Sequence, residues 1–152
     1  MKSLTNGVDK RELLARLAKF HPAAQRRWGR MTPHEAICHL SDSYQAGLGE
    51  RHASPASGLF QRTFMKWAAL YAPSHWPHGI RTRPEMEAGV GGTPPVEFTR
   101  DLDSLTRLVE RFASRPPDFS WAPHPIFGPL TADQWLRWGW LHADHHLRQF
   151  GL

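Results

Sequence analysis

Hydrophobic residues recur at helical spacing in five stretches of the chain, and no stretch shows a convincing strand pattern. Capping residues, glycine or proline bound these stretches. The predicted helices extend from Asp9 to about Phe20, from Thr32 to about Leu48, from Leu59 to Pro73, from Thr99 to Pro116, and from Thr131 to Phe150. With no internal repeat either, this pattern predicts an all-α protein, an up-and-down four-helix bundle with an additional short helix.

Two of these helices begin with the sequence of a capping box, in which a threonine and the third residue after it bond to each other's backbone N–H groups. The two sequences are Thr32-Pro33-His34-Glu35 and Thr131-Ala132-Asp133-Gln134. Asp9 and Glu12 form a weaker version of the same device. The sequence therefore predicts Thr32, Thr131 and Asp9 as N-caps.

Residues 74–96 are rich in Pro, Gly and His and show no sustained hydrophobic period. We predict a long irregular loop there, with a turn of helix near Pro84 to Ala88. Long loops of this kind often shape a binding site.

A length of 152 residues suits one domain with one hydrophobic core, so residues 1–152 are expected to form a single unit.

The start, from Met1 to Gly7, lacks the apolar segment of a secretory signal, and no later run approaches the roughly 20 apolar residues of a membrane span. A cytoplasmic location without membrane association is the default expectation. Cys38 is the single cysteine and cannot form an internal disulfide. A single cysteine also excludes a structural zinc site built from cysteines.

The formal net charge of +5 raises the question of nucleic-acid binding. Only residues 26–30 form a tight basic cluster, and elsewhere Arg and Lys alternate with Asp and Glu as on solvated helix faces. We therefore expect no specific nucleic-acid partner.

The unusual feature of the composition is its 10 His and 7 Trp. In the last helix, two tryptophans, two histidines and a glutamine fall within one stripe about 80° wide, because successive residues turn by about 100°. These residues are Trp135, Trp138, His142, His146 and Gln149. Imidazoles one turn apart lie about 5–6 Å apart at Cβ, close enough to bind one ion.

Spacing alone is weak support for a metal site, because a lone His-x-x-x-His pair is more often a pair of ordinary core or rim histidines. The pair is also not the motif of zinc proteases, since Ala143 stands where that motif needs its general-base glutamate. Proteolysis is therefore excluded.

Three segments together resemble the DinB-like metalloprotein superfamily. The segment from Trp28 to Leu40 contains a tryptophan, a capped helix start and a His-Leu pair, and the segments His124 to Thr131 and His142 to Phe150 resemble the final helix of an uncharacterised branch. The resemblance implies a single divalent ion held by three histidines. Its His-x-x-x-His pair corresponds to His142 and His146, and its second-helix histidine to His39. In many relatives Arg-Gly-Gln follows the last ligand, whereas residues 147–149 here are Leu-Arg-Gln.

The residues themselves support His39 less well than the other two. His39 lies outside the apolar stripe of the second helix, whereas His34 is nearer to it and is the alternative ligand. The resemblance favours His39. We interpret His145 as a neighbour or rim residue, and His124 as a capping or mouth residue.

Three neutral imidazoles leave open coordination positions, a pattern typical of catalytic rather than structural sites. Imidazole ligands do not distinguish Zn, Ni, Fe and Mn.

The resemblance implies first an S-transferase that uses a low-molecular-weight thiol and a small-molecule substrate. Alternatives are a hydrolase that uses a metal-activated water and a non-enzymatic metal- or ligand-binding bundle. Relatives often pair, so a homodimer is possible. No catalytic residue can be named from the sequence.

Overall fold

A computed structural model of the chain describes residues 1–56 and 58–152. It contains five α-helices, which we label α1 (Gly7–Leu17), α2 (Pro33–Gly47), α3 (Lys66–Tyr71), α4 (Phe98–Ala113) and α5 (Ala132–Gln149). A π-helical segment, Gln61–Met65, leads into α3, and a 3-10 turn, Pro84–Met86, lies between α3 and α4. The described residues form no strand beyond two isolated bridges, so the prediction of an all-α protein is confirmed.

Both predicted capping boxes are present. The Thr32 hydroxyl accepts from the backbone N–H of Glu35 at 3.2 Å, and the Glu35 carboxylate accepts from the N–H of Thr32 at 2.7 Å. Thr131 and Gln134 make the same pair of bonds at the start of α5. These local bonds fix where the two histidine-bearing helices begin.

The predicted N-cap of α1 is wrong, and α4 begins one residue before its predicted start. Asn6, not Asp9, caps α1, because its side chain accepts from two backbone amides. Asp9 instead accepts from the Ser3 amide at 3.1 Å and pairs with Lys2 at 3.0 Å. The glutamate at position 97 caps α4, so both helices start before the predicted residue.

The core lies where α2 packs against α4 and α5, and α1 packs against α5 and α4. Gly139 on α5 allows a close approach: a Cβ there would meet atoms of Tyr44 and Phe112 at 3.0 and 3.2 Å. The Tyr44 hydroxyl uses this approach to donate to the Gly139 carbonyl at 2.7 Å. α2 and α5 are therefore held side by side in the region of the site.

The chain between α3 and α4 is irregular and contains the predicted helical turn, here Pro84–Met86. Asp42 of α2 accepts from the backbone N–H and the hydroxyl of Thr93, and Arg51 donates to the Glu85 carbonyl. These bonds hold the loop on α2 and bury Met86. Within the described residues, no helix combines the length and apolar character that crossing a bilayer requires.

Candidate metal centre

Three histidines from two helices meet in the interior. His39 comes from the middle of α2, and His142 and His146 come from successive turns of α5. Each is 8 % exposed, and one ring nitrogen of each lies within 4.8 Å of the others. The described residues thus contain a buried group that could hold a metal ion, at the three positions expected from the sequence.

The spacing of the nitrogens suits a shared ion. The Nε2 atoms of His39 and His142 are 3.1 Å apart, and the ring of His146 lies 4.9 Å from that of His39 and 5.0 Å from that of His142. Two nitrogens bound to one ion at about 2.0–2.1 Å lie roughly 3–3.4 Å from each other. Little movement is needed to place an ion between His39 and His142.

Neighbouring groups orient two of the rings. His39 Nδ1 lies 3.1 Å from the Met86 carbonyl, which can only accept, so this nitrogen carries the proton. His146 Nδ1 lies 2.9 Å from Gln149 Oε1, while the amide nitrogen of Gln149 donates to the Trp28 carbonyl at 2.9 Å. The Gln149 oxygen therefore faces the ring and accepts its proton. Both rings keep the Nε2 lone pair for a ligand, as metal-binding histidines usually do.

His142 is positioned by packing. Its ring lies 4.7 Å from that of Trp138 on α5 and 5.8 Å from that of Trp76 in the loop. Its Nδ1 is buried and has no hydrogen-bond partner among the described residues. Its Nε2 lies 3.1 Å from His39 Nε2, so this is the nitrogen that faces the group.

Burial sets the charge of the group. Loss of hydration lowers the pKa of His39, and it lowers the pKa of His142 and His146 well below the ordinary histidine value. The positive charge of one protonated ring would further disfavour protonation of its neighbours. All three rings are neutral near pH 7, which is the form that binds metal ions.

Aromatic rings border the group on the side of His145. This histidine is half-buried, and its ring lies 5.9 Å from that of Trp28 and 6.0 Å from that of Trp76. The exposed His78 stacks on Trp28 at 4.0 Å. His145 is thus a neighbour of the three histidines and not one of them.

His124 has a structural role. Its Nδ1 accepts from the backbone N–H groups of Ile126 and Phe127, both at 3.1 Å. The backbone of His124 pairs with that of Gly128, where φ is +68°, and closes the turn. Burial lowers its pKa to about 3, so the ring stays neutral. The expected capping role is present, on the segment that leads into α5.

His34, the alternative ligand, lies elsewhere and bonds to Asp101 at 2.8 Å. The apolar stripe of α2 gave the opposite indication because α2 is covered on more than one side. The loop carrying Met86 packs on the flank of α2 that includes His39. Sequence reasoning missed Met86 and Trp76, since no periodic pattern marks residues in an irregular loop.

Comparison with known proteins places the chain in a family of unknown function. No curated protein and no solved structure matches the chain. One family model, described as "Protein of unknown function (DUF1569)", matches residues 4–151. The match covers nearly the whole chain, including the segments that supply all three histidines, and the chain therefore belongs to the DUF1569 family.

Proposed function

We propose that the protein binds one divalent metal ion through His39, His142 and His146, and that the ion serves a reaction on a small molecule. The observation that carries this proposal is the meeting of three buried, neutral imidazoles whose nitrogens lie within 4.8 Å of one another. Zn, Ni, Fe and Mn all accept imidazole ligands.

The surroundings of the rings support a metal ion over a plain histidine cluster. The Met86 carbonyl and the Gln149 amide oxygen accept the Nδ1 protons of two rings, which leaves their other nitrogens as ligands. A three-nitrogen ligand set also leaves coordination positions open, as in catalytic sites.

A divalent ion in such a set would lower the pKa of a bound water or thiol. The protein's own contribution would be to orient the ligands through Met86 and Gln149 and to hold the substrate at the border formed by Trp28, Trp76 and His145. Their rings would contact an apolar or planar part of a substrate.

Among reactions, we propose first the transfer of a low-molecular-weight thiol to an electrophile. This choice follows from the resemblance to the DinB-like superfamily, which also implies the four-helix bundle and a homodimer. Fold analogy is a weaker argument than site geometry. Hydrolysis by an activated water is the second candidate, because open positions serve both reactions.

Metal analysis of protein purified without a polyhistidine tag tests the proposal directly. We expect the wild type to hold one ion per chain more than His142→Ala, which lacks a ligand of the histidine centre, and we expect His21→Ala, a change on the exposed surface, to match the wild type. Loaded protein should then accelerate conjugation of a thiol to a generic electrophile. Turnover without thiol would favour the hydrolase, and binding without turnover would contradict an enzymatic role.

A further inference from the structure

A second group of metal-ligating side chains lies between α2 and α4. It consists of His34, Cys38 and Asp101, and one nitrogen, sulfur or oxygen atom of each lies within 4.8 Å of the others. His34 and Cys38 are one turn apart on α2, and Asp101 is in the first turn of α4. The group shares no residue with the three-histidine centre.

The carboxylate of this group is held in place before any ligand arrives. Asp101 Oδ2 accepts from His34 Nε2 at 2.8 Å and from the backbone amides of Val96 and Glu97 at 3.2 and 3.4 Å. The ring of Phe98 packs edge-on against His34 at 5.4 Å. Nitrogen and oxygen ligands of one ion lie roughly 3–3.4 Å apart, so an ion needs only a small opening of the His34–Asp101 pair.

Access and charge also suit a cation. The side chains of His34 and Asp101 are 21 % and 19 % exposed, whereas Cys38 is 3 % exposed beneath them. An ion can therefore reach the nitrogen and oxygen from solvent and meet the sulfur at the base. The Asp101 carboxylate brings negative charge to within 4.8 Å of the sulfur. A hydrogen-bonded pair explains His34 and Asp101 without explaining why the one cysteine lies with them.

We propose that His34, Cys38 and Asp101 form a second metal site, which binds a borderline divalent ion such as Zn²⁺ or Co²⁺ and joins α2 to α4. The donor set is one imidazole, one thiolate and one carboxylate, with solvent at the remaining position. The thiol proton leaves to solvent when the ion binds, so the two anionic ligands balance the charge of the ion. This mixed set differs from the cysteine-based zinc site that a single cysteine excludes.

Cobalt reports whether sulfur is a ligand. The full chain, freed of metal with a chelator and carrying His142→Ala to disable the other centre, is titrated with Co²⁺. We expect one bound ion and a sulfur-to-cobalt charge-transfer band in the near ultraviolet. Adding Cys38→Ser should abolish the band, and Asp101→Asn or His34→Gln should keep it while weakening binding by more than about tenfold. Even outer-sphere changes cost roughly 10–100-fold.

The matched control is Asp103→Asn, which removes an exposed carboxylate two residues along α4 and should change neither the band nor the affinity. Circular dichroism of each variant verifies folding, and if Cys38→Ser does not fold, the surface-accessible His34→Gln and Asp101→Asn decide by their affinities. Absence of the band in wild type and in His142→Ala overturns the proposal, as does a band that survives Cys38→Ser. A band with no ion lost in His142→Ala would support this site and refute the three-histidine centre.

Discussion

The two histidine clusters of this protein share helix α2 but differ in depth and in charge. The His39, His142 and His146 group is buried and contains only neutral rings, two of them hydrogen-bonded to uncharged acceptors. The group formed by His34, Cys38 and Asp101 reaches the surface and includes a carboxylate. Successive residues of one helix thus serve two different environments.

This difference indicates what each cluster would do with an ion. Neutral nitrogen ligands leave the charge of a divalent ion uncompensated, so the ion stays a strong Lewis acid suited to a reaction. A thiolate and a carboxylate cancel that charge and favour a structural link between helices. Burial raises the pKa of the Asp101 carboxyl group, but hydrogen bonds from His34 and two backbone amides outweigh burial and leave the pKa below its ordinary value.

The largest effects should come from removing a ligand of the buried centre. His142→Ala or His146→Ala should lower metal affinity there by more than about 100-fold, beyond the roughly 10–100-fold typical of outer-sphere changes. His145→Ala should stay within that smaller range, and His34→Ala should leave the buried centre loaded. Added Zn²⁺ that binds only the folded state should raise the thermal midpoint of His145→Ala through this centre. If His145→Ala empties the centre while His142→Ala does not, the assignment of ligands is wrong.

The next effect concerns the acceptor that orients His146. Gln149→Leu removes the hydrogen bond to Nδ1 and should weaken binding of the ion at the buried centre by roughly 10–100-fold. Gln45→Leu makes the same change on α2, away from both clusters, and should have no effect on metal affinity. Equilibrium titration with a competing chelator measures both variants. Equal affinities for the two would show that Gln149 does not position the ligand.

Acid should lower the free energy of unfolding, because buried histidine rings stay neutral in the folded chain. Burial lowers the pKa of His124 to about 3, while an unfolded histidine titrates near 6.5, so below pH 6.5 the unfolded chain binds a proton that the folded chain refuses. The resulting stability is complete above pH 6.5 and falls by about 1.4 kcal/mol per pH unit between about pH 6 and pH 3. In metal-free protein, His124→Asn should reduce this slope because asparagine does not titrate. Its amide oxygen can still accept from Ile126 and Phe127, so the turn should be kept. Urea unfolding at several pH values measures it, and an unchanged slope would contradict the assignment.

The smallest effects should come from the helix caps. Thr131→Ala removes the hydroxyl that caps α5 and should cost about 1 kcal/mol of unfolding free energy. Thr32→Ala should cost a similar amount, but it loosens the helix that carries ligands of both clusters. Cobalt titration of the two variants therefore separates them: Thr131→Ala should affect the three-histidine centre alone. A loss of the sulfur band in Thr131→Ala would mean that the clusters are coupled.

Helical spacing of apolar residues did not reveal which faces are covered. The stripe of α5 is buried, as expected for a seam that holds Trp135 and Trp138. The segment before and within α3 has equally regular spacing, yet Phe60, Phe64 and Trp67 are 57 %, 58 % and 56 % exposed. Periodicity predicts that a segment is helical, whereas burial depends on which other segments pack against it.

The sequence by itself determined the features that depend on nearby residues. The capping boxes at Thr32 and Thr131 and the one-turn spacing of His142 and His146 follow from bonds and rotations within a few residues. The N-cap of α1 was placed at Asp9 and not at Asn6 because several polar residues lie within one turn, and the other bonds of each side chain decide among them. Asp9, for example, is engaged by Lys2 and Ser3.

The residue pattern left His39 and His34 open and the resemblance favoured His39, but only the tertiary structure shows that His39 lies beside His142 and His146 whereas His34 lies beside Asp101. Both lie on α2, and their roles depend on what packs against each flank: α5 and the Met86 loop on one, the start of α4 on the other. These contacts join residues separated by 47 to 103 positions in the chain. No local pattern encodes such pairings, because they arise from the simultaneous burial of several helices around one core.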